Sequence, residues 1–234
     1  MTGDALTFAG ELGPPDESSP PGIFPWSDDW FHGVAELAQS APSWVRAFAE
    51  IGTEFGILIF PVLFLAAWWR ARGGDARGMT LALLAPVVTV GAYLVSESIK
   101  SVVLVARPCQ DFPNVTVIAH CPPMGDWSFP SNHATIAAAA AMGAVLAWRM
   151  LAAIALPVAA LEAFSRVFVG VHYPHDVAAG FLLGVTVATL LSLLLARLLT
   201  PLVRRLREHP LLRPLLVASH AGQPRTGDSL GAAR

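Results

Sequence analysis

Apolar residues in this chain come in long runs separated by short polar stretches, not in the narrow stripe of a helix half-exposed to water. The runs cover residues 51–69, 79–99, 132–148, 150–168 and 177–199. A helix that crosses a bilayer needs roughly 20 predominantly apolar residues. The pattern predicts an all-α, polytopic membrane bundle of about five transmembrane helices. The first span is expected to begin at Ser43 and end at Arg70, before a short basic loop holding Gly73, Gly74 and Arg77. In the second, Pro86 is tolerable where neighbouring groups satisfy the freed carbonyl. The third is rich in alanine, and Ala139, Gly143 and Ala147 recur every fourth residue, a spacing that lets helices approach closely. Arg149 marks a hairpin into the fourth, and Gly180 and Gly184 give the fifth a second small-residue face.

Outside these runs the pattern changes. Residues 1–25 are proline-rich with scattered acids and read as a disordered tail. Ser27 is then placed to cap a helix whose first turn carries Asp28 and Asp29. Trp30, Phe31, Val34, Leu37 and Ala38 fall on one face of that helix, which ends before Pro42. Such an amphipathic element either lies in the membrane interface or packs on the bundle. The membrane-embedded unit is expected to occupy 26–200, followed by a basic cytoplasmic tail at 201–234. Residues 106–130, with both cysteines, form an exposed loop.

Composition agrees with a membrane protein. Of 234 residues 54% are hydrophobic and 14% charged, against roughly 25% charged in soluble domains; the mean hydropathy is +0.56. A formal net charge of −2 argues against a nucleic-acid partner, which would require a basic face. Residues 1–25 lack the basic start and apolar core of a secretory signal, so insertion is expected to rely on the first membrane helix. Of the 15 cationic side chains only Lys100 is a lysine. A lone lysine at a membrane boundary hints at a requirement for a compact ammonium. Arg70, Arg72, Arg77, Arg149 and the C-terminal arginines fall on one side of a five-span model, while Arg46, Lys100, Arg107 and Arg166 fall on the other. The positive-inside rule makes the first side, with the C-terminus, cytoplasmic.

Three polar clusters then reach the same outer face. They are Lys100 to Arg107-Pro108 at the end of the second span, Pro130-Ser131-Asn132-His133 entering the third, and Ser165-Arg166 through His172 to Asp176 between the fourth and fifth. Three cations, a hydroxyl and the backbone N–H groups of a helix N-terminus suit a phosphoryl group, whose transfer depends mainly on positioning and charge neutralisation. No His/Asp/Glu pattern dedicates ligands to zinc or magnesium, and no cofactor is expected.

The spacing of these clusters resembles the type-2 phosphatidic acid phosphatase superfamily, with its signature Lys-x6-Arg-Pro, Pro-Ser-Gly-His and Ser-Arg-x5-His-x3-Asp. The likeness covers roughly residues 51–199. It implies that His172 is the nucleophile forming a phosphohistidine, that Asp176 orients it, and that His133 protonates the leaving oxygen and then activates water. Lys100, Arg107, Ser131, Asn132 (through its backbone) and Arg166 would hold the phosphate. Asn132 departs from the usual glycine. Asn tolerates left-handed dihedrals, so a glycine-like turn is expected to survive with a narrower pocket left open. The implied activity is that of a membrane lipid phosphatase acting from the extracytoplasmic side. Polyisoprenyl diphosphates such as undecaprenyl diphosphate are the first expectation, with phosphatidic acid or phosphatidylglycerol phosphate next and transfer to another lipid third. A transport path through buried charges is the non-enzymatic alternative. The oligomeric state is not legible.

Glu162, four residues before Arg166, and Glu97, three before Lys100, are expected to orient those cations. His175 and His120 are expected to be exposed loop residues, and Asp126 a brace or cap. Cys109 and Cys121 are the only cysteines and lie in the outward loop, where thiols oxidise. They are expected to pair and so hold Arg107 in place.

Overall fold

A computed structural model describes residues 24–218; the expected N-terminal tail lies almost wholly outside the described residues. These residues are helical and include no strand. The elements are α1 (Pro25–Ser40), α2 (Ser43–Phe55), a 3-10 turn (Gly56–Leu58), α3 (Ile59–Ala71), α4 (Ala76–Val103), the short α5 (Pro108–Asp111), α6 (Asn132–Ala147), a second 3-10 turn (Arg149–Leu151), α7 (Ala152–Phe168), α8 (Pro174–Glu208) and α9 (Arg213–Leu216). Four helical runs are long and apolar enough to cross a membrane: Ser43–Ala71, Ala76–Asp111, Arg149–Phe168 and Pro174–Glu208. The fifth apolar helix, α6, has only 16 residues. With Val62, Leu65, Val87, Leu94, Leu190 and Leu198 all turned outward, the surface is one that lipid rather than water would cover. The chain is a multi-pass membrane protein.

The short helix is the centre of the bundle. Ala134, Ala137 to Ala141 and Ala144 are buried, and α6 packs against α3, α4, α7 and α8. Alanine permits this because helices close to short range only where side chains are small. The approach is tightest against α8, where a Cβ on Gly184 would fall 2.3 Å from the Thr135 carbonyl oxygen and one on Gly180 2.4 Å from that of Ser131. The two glycines of the fifth span thus allow α8 to lie on the first turns of α6, where the second polar cluster begins. At the other end of α4, Leu104 takes the left-handed conformation with φ 50° and stops the helix. Val105 then accepts a hydrogen bond from the Ser128 N–H at 2.8 Å, which ties the returning loop beneath that end.

Three boundaries differ from expectation. First, α1 starts at Pro25, and Ser27 does not cap it but is fully buried. The helix packs on α7 and α8 through Phe31, Ala35 and Ala38, leaving Trp30 and Leu37 outside. The expected face is thus buried in part: Phe31 and Ala38 are covered and Val34 packs on Ala163 and Val167, with Ala35 joining them, while Trp30 and Leu37 face outward. Secondly, Asn132 is the first helical residue of α6, and Leu104 is the only non-glycine residue with positive φ among those described. No glycine-like turn is required at Asn132. Thirdly, α8 passes unbroken through residue 200 to Glu208, and Leu216 of α9 is buried in the core with Val203. A boundary at 200 would cut a helix whose apolar face continues.

Candidate active site

After α7 ends, Gly170 turns the chain with φ 88°, and a Cβ there would fall 2.4 Å from a methyl of Val117. The turn sends His172 inward, where it is 2% exposed. Its Nε2 lies 3.0 Å from Arg107 Nη1. Because a guanidinium only donates, Nε2 is the acceptor and the ring proton belongs on Nδ1. Nδ1 faces Ser128 Oγ at 3.2 Å and Asp176 Oδ2 at 3.5 Å. Asp176, in the first turn of α8, is fully buried; its Oδ2 also accepts the Tyr173 N–H at 2.9 Å and the Ser128 hydroxyl. Burial, then the charges of Arg107, Arg166 and Lys100, hold the His172 imidazole well below its ordinary pKa. It stands as a neutral base with its lone pair turned toward a cation.

Three buried cations surround this ring. Lys100, in the last turn of α4, places Nζ 3.7 Å from both Glu97 Oε1 and Asp126 Oδ1. Arg107 donates from Nε to the Asp126 carbonyl at 2.8 Å, from Nη1 to the Val171 carbonyl at 3.0 Å, and from Nη2 to Asp126 Oδ1 at 2.9 Å. Partial burial pushes the Asp126 carboxyl up, but the Arg107 hydrogen bond and charge, with Lys100, bring it below its usual value. Arg166, near the end of α7, donates from Nη1 to Thr53 Oγ1 at 2.8 Å. His133, half-buried in the first turn of α6, lies within electrostatic reach of Arg166, His172, Arg107 and Lys100. Ser131 Oγ and Arg166 Nε are buried without a hydrogen-bond partner. Buried polar groups are almost always satisfied, so two orphan donors, one on Arg166 itself and one on Ser131, beside Lys100 and Arg107 describe a place shaped for an anion. Among the described residues no three His, Cys, Asp or Glu side chains gather as a metal site.

The three sequence clusters therefore meet, and Glu97 stands beside Lys100. Glu162 does not stand beside Arg166 in the expected way. The ion-pair partner of Arg166 is Glu54, at 3.6 Å, while the Glu162 carboxylate lies against Gly56, whose missing Cβ leaves it room. Glu162 stays within electrostatic reach of Arg166 but makes no ion pair with it, the nearer carboxylate being Glu54 on α2. The Asn132 side chain donates to Glu97 Oε1, the oxygen that also pairs with Lys100, and accepts from Ser96 Oγ at 2.7 Å. His120 is exposed. His175, expected in an exposed loop, is instead buried, because α8 already begins at Pro174. Its Nδ1 lies 2.7 Å from Ser27 Oγ and its Nε2 3.2 Å from Asp176 Oδ1, with Tyr173 stacked at 5.3 Å. Cys109 and Cys121 are joined as a disulfide, with Cα atoms 6.0 Å apart.

Ser128, Thr53, Glu54 and Ser27 were missed from the sequence. Thr53, Glu54 and Ser27 reach the site from distant positions, whereas Ser128 lies two residues before the cluster that begins at Pro130, just outside the spaced motif.

Comparison with known proteins agrees with this geometry. The chain is 28% identical over 138 residues to the undecaprenyl-diphosphatase BcrC of Bacillus subtilis, an overlap of 59% of this chain and 68% of that protein. It is 39% identical over 103 residues to the decaprenylphosphoryl-5-phosphoribose phosphatase of Mycobacterium tuberculosis, covering 43% of this chain but only 54% of the relative. Its fold is similar to the crystal structure of a transmembrane PAP2-type phosphatidylglycerolphosphate phosphatase from Bacillus subtilis, with a TM-score of 0.53 and 22% identity over 72% of this chain and 85% of the other. The PAP2 superfamily model matches residues 80–199, just over half of the chain, and takes in all three polar clusters. The chain belongs to the PAP2 superfamily.

Proposed function

We propose that this protein is an integral-membrane lipid phosphatase that hydrolyses a polyprenyl diphosphate of the undecaprenyl kind through a phosphohistidine. The observation that carries the reading is the buried, neutral His172, whose Nε2 lone pair faces Arg107 among orphan donors. An incoming phosphate takes over the Arg107 and Lys100 donors now held by Asp126, together with Ser131 Oγ and the free edge of Arg166. The backbone N–H of Asn132, at the start of α6, adds a further donor. Nε2 of His172 then forms a bond to phosphorus as the bond to the leaving oxygen breaks. His133 supplies the proton to that oxygen. Asp176, linked to Nδ1 through the Ser128 hydroxyl and 3.5 Å from it, stabilises the ring as its charge grows. In the second half, His133 takes a proton from water, the new oxygen–phosphorus bond forms, and His172 leaves with its electron pair. The products are lipid monophosphate and inorganic phosphate.

The site faces the extracytoplasmic side and the arginine-rich end, with the C-terminus, faces the cytoplasm, following the charge asymmetry of the loops. Residues 26–200 carry the catalytic unit, extended by the rest of α8. A second reading, hydrolysis of a phosphomonoester carried on the sugar of a polyprenylphosphoryl pentose, is favoured by the mycobacterial relative's name and its higher identity. One substrate panel separates the two. Purified protein in excess chelator is offered undecaprenyl diphosphate, a polyprenylphosphoryl phosphoribose, phosphatidic acid and phosphatidylglycerol phosphate, with vanadate as inhibitor. Fastest turnover of the diphosphate is expected, unaffected by chelator. Preference for the phosphoribose lipid selects the second reading, and loss of all activity in chelator, restored by magnesium, removes the metal-free mechanism.

A further inference from the structure

Of the three cations around His172, Arg166 alone takes its hydrogen-bond and ion-pair partners from outside residues 80–199. Those partners are Thr53 and Glu54, on α2. We propose that Thr53 is a positioning residue for Arg166, so that α2 is a working part of the phosphate site and not merely a membrane span. This rests on the reading of Arg166 as a phosphate ligand.

The geometry is specific about what Thr53 does. A guanidinium has five N–H donors in a rigid plane. Nη1 is committed to Thr53 Oγ1 at 2.8 Å, and Nε is buried with no partner. Fixing Nη1 therefore fixes the plane and leaves the Nε–Nη2 edge as an open fork, the edge that matches two phosphate oxygens. Thr53 is itself fully buried, and its hydroxyl is hydrogen-bonded to Ser165 Oγ at 2.8 Å, which also donates to the Glu162 carbonyl at 2.7 Å. Residues 162, 165 and 166 form one face of α7. That face meets α2 at Thr53 and, one turn on, at Gly56, where the absent side chain leaves space for the Glu162 carboxylate. Glycine at 56 thus lets α2 come close enough for a threonine at 53 to reach a buried arginine. Glu54 is the weaker influence. Its side chain is 60% exposed at 3.6 Å from Nη1, and an ion pair so open to solvent contributes little.

The test compares Thr53→Val, which removes the hydroxyl at nearly constant volume, with Thr53→Ser, which keeps it, and with Glu54→Gln. Each purified full-length variant is assayed for kcat/KM on a polyprenyl diphosphate and for its affinity for orthovanadate, with melting temperature as the check on folding. Losing a hydrogen bond to a charged group predicts that Thr53→Val weakens both readings by about tenfold or more, while Thr53→Ser restores them to within about threefold. Glu54→Gln should change either by less than about threefold. Should the valine variant not fold, Thr53→Ala takes its place. A folded, hydroxyl-free variant with wild-type vanadate affinity overturns the proposal. So does a serine variant as impaired as the valine one. Vanadate affinity reads the anion site without turnover; if the wild type cleaves no lipid phosphate, the proposed function fails while the role of Thr53 is still decided.

Discussion

Arginines gather at both ends of this bundle, yet the two ends treat them differently. At the end formed by the α3–α4 turn and the C-terminal helices, Arg72 donates to the Pro214 carbonyl at 2.8 Å and stacks on Trp68 and Trp69, with centroid distances of 5.3 and 4.7 Å. Arg207 donates to the Gly74 carbonyl at 2.7 Å, and Arg70 lies 6.0 Å from the Trp148 ring. Carbonyls and indoles occupy these cations, and no nucleophile stands among them. At the opposite end Lys100, Arg107 and Arg166 are buried, are held by Glu97, Asp126 and Glu54, and converge on a histidine. Arginine number does not mark the reactive end. Convergence on a nucleophile does; an unspent donor alone does not, since Arg72 Nε too is buried without a hydrogen-bond partner.

The sharpest break of that comparison is at the nucleophile. His172→Ala is expected to reduce phosphate release to background and His133→Ala by roughly 10²–10⁴-fold, with radiolabelled phosphoenzyme accumulating in the latter. Arg72→Ala, at the other end, should keep kcat/KM within about twofold. Near-normal turnover in folded His172→Ala protein would remove it as nucleophile. Next comes Lys100→Arg, which keeps the charge but not the compact ammonium. A drop of about tenfold or more in kcat/KM is expected, and unchanged kinetics would make the lone lysine incidental.

Replacing Cys109 and Cys121 with serine should cost about 3 kcal/mol of stability in the chain-entropy model, read as a lower melting temperature. KM should rise as well, since Arg107 is two residues from one end of the bridge; a rise confined to the melting temperature would separate the loop from the site. The smallest effect concerns pH. Burial and three cations depress the His172 pKa from its ordinary value of 6.5. The ring therefore stays unprotonated as pH falls through that value, and protonates only at lower pH. The acid limb of kcat/KM that belongs to His172 is expected below 6.5, and should move up toward it in Arg107→Gln.

What the sequence disclosed and what it hid follow from physics. The spans were visible because lipid demands long apolar runs. The clusters were visible because His172 and Asp176 stand only four residues apart between two apolar runs, and because Lys100 and Arg107 flank a single helix end. Thr53 and Ser27 were invisible because each acts through one hydroxyl delivered from far along the chain, and Ser128, only two residues before Pro130, because a serine in a polar loop is unremarkable. His175 was misplaced because a proline after Tyr173 reads equally as loop or as the first residue of a helix. Glu162 was mispaired because a rule for isolated helices cannot see a second helix competing for the same arginine.

The brevity of α6 has a consequence for how a greasy substrate is handled. Sixteen residues rise only about 24 Å, less than the roughly 30 Å of a bilayer's hydrocarbon. One end of the central helix must therefore stop short of a membrane surface, and if that is the end carrying Ser131 and His133, the reaction floor is sunk toward headgroup depth. A carrier lipid could then present its phosphate by drifting sideways, with its tail still among other tails. Lifting each methylene into water would cost about 0.8 kcal/mol, a toll that grows with chain length. A recessed floor spares the longest isoprenoids the most.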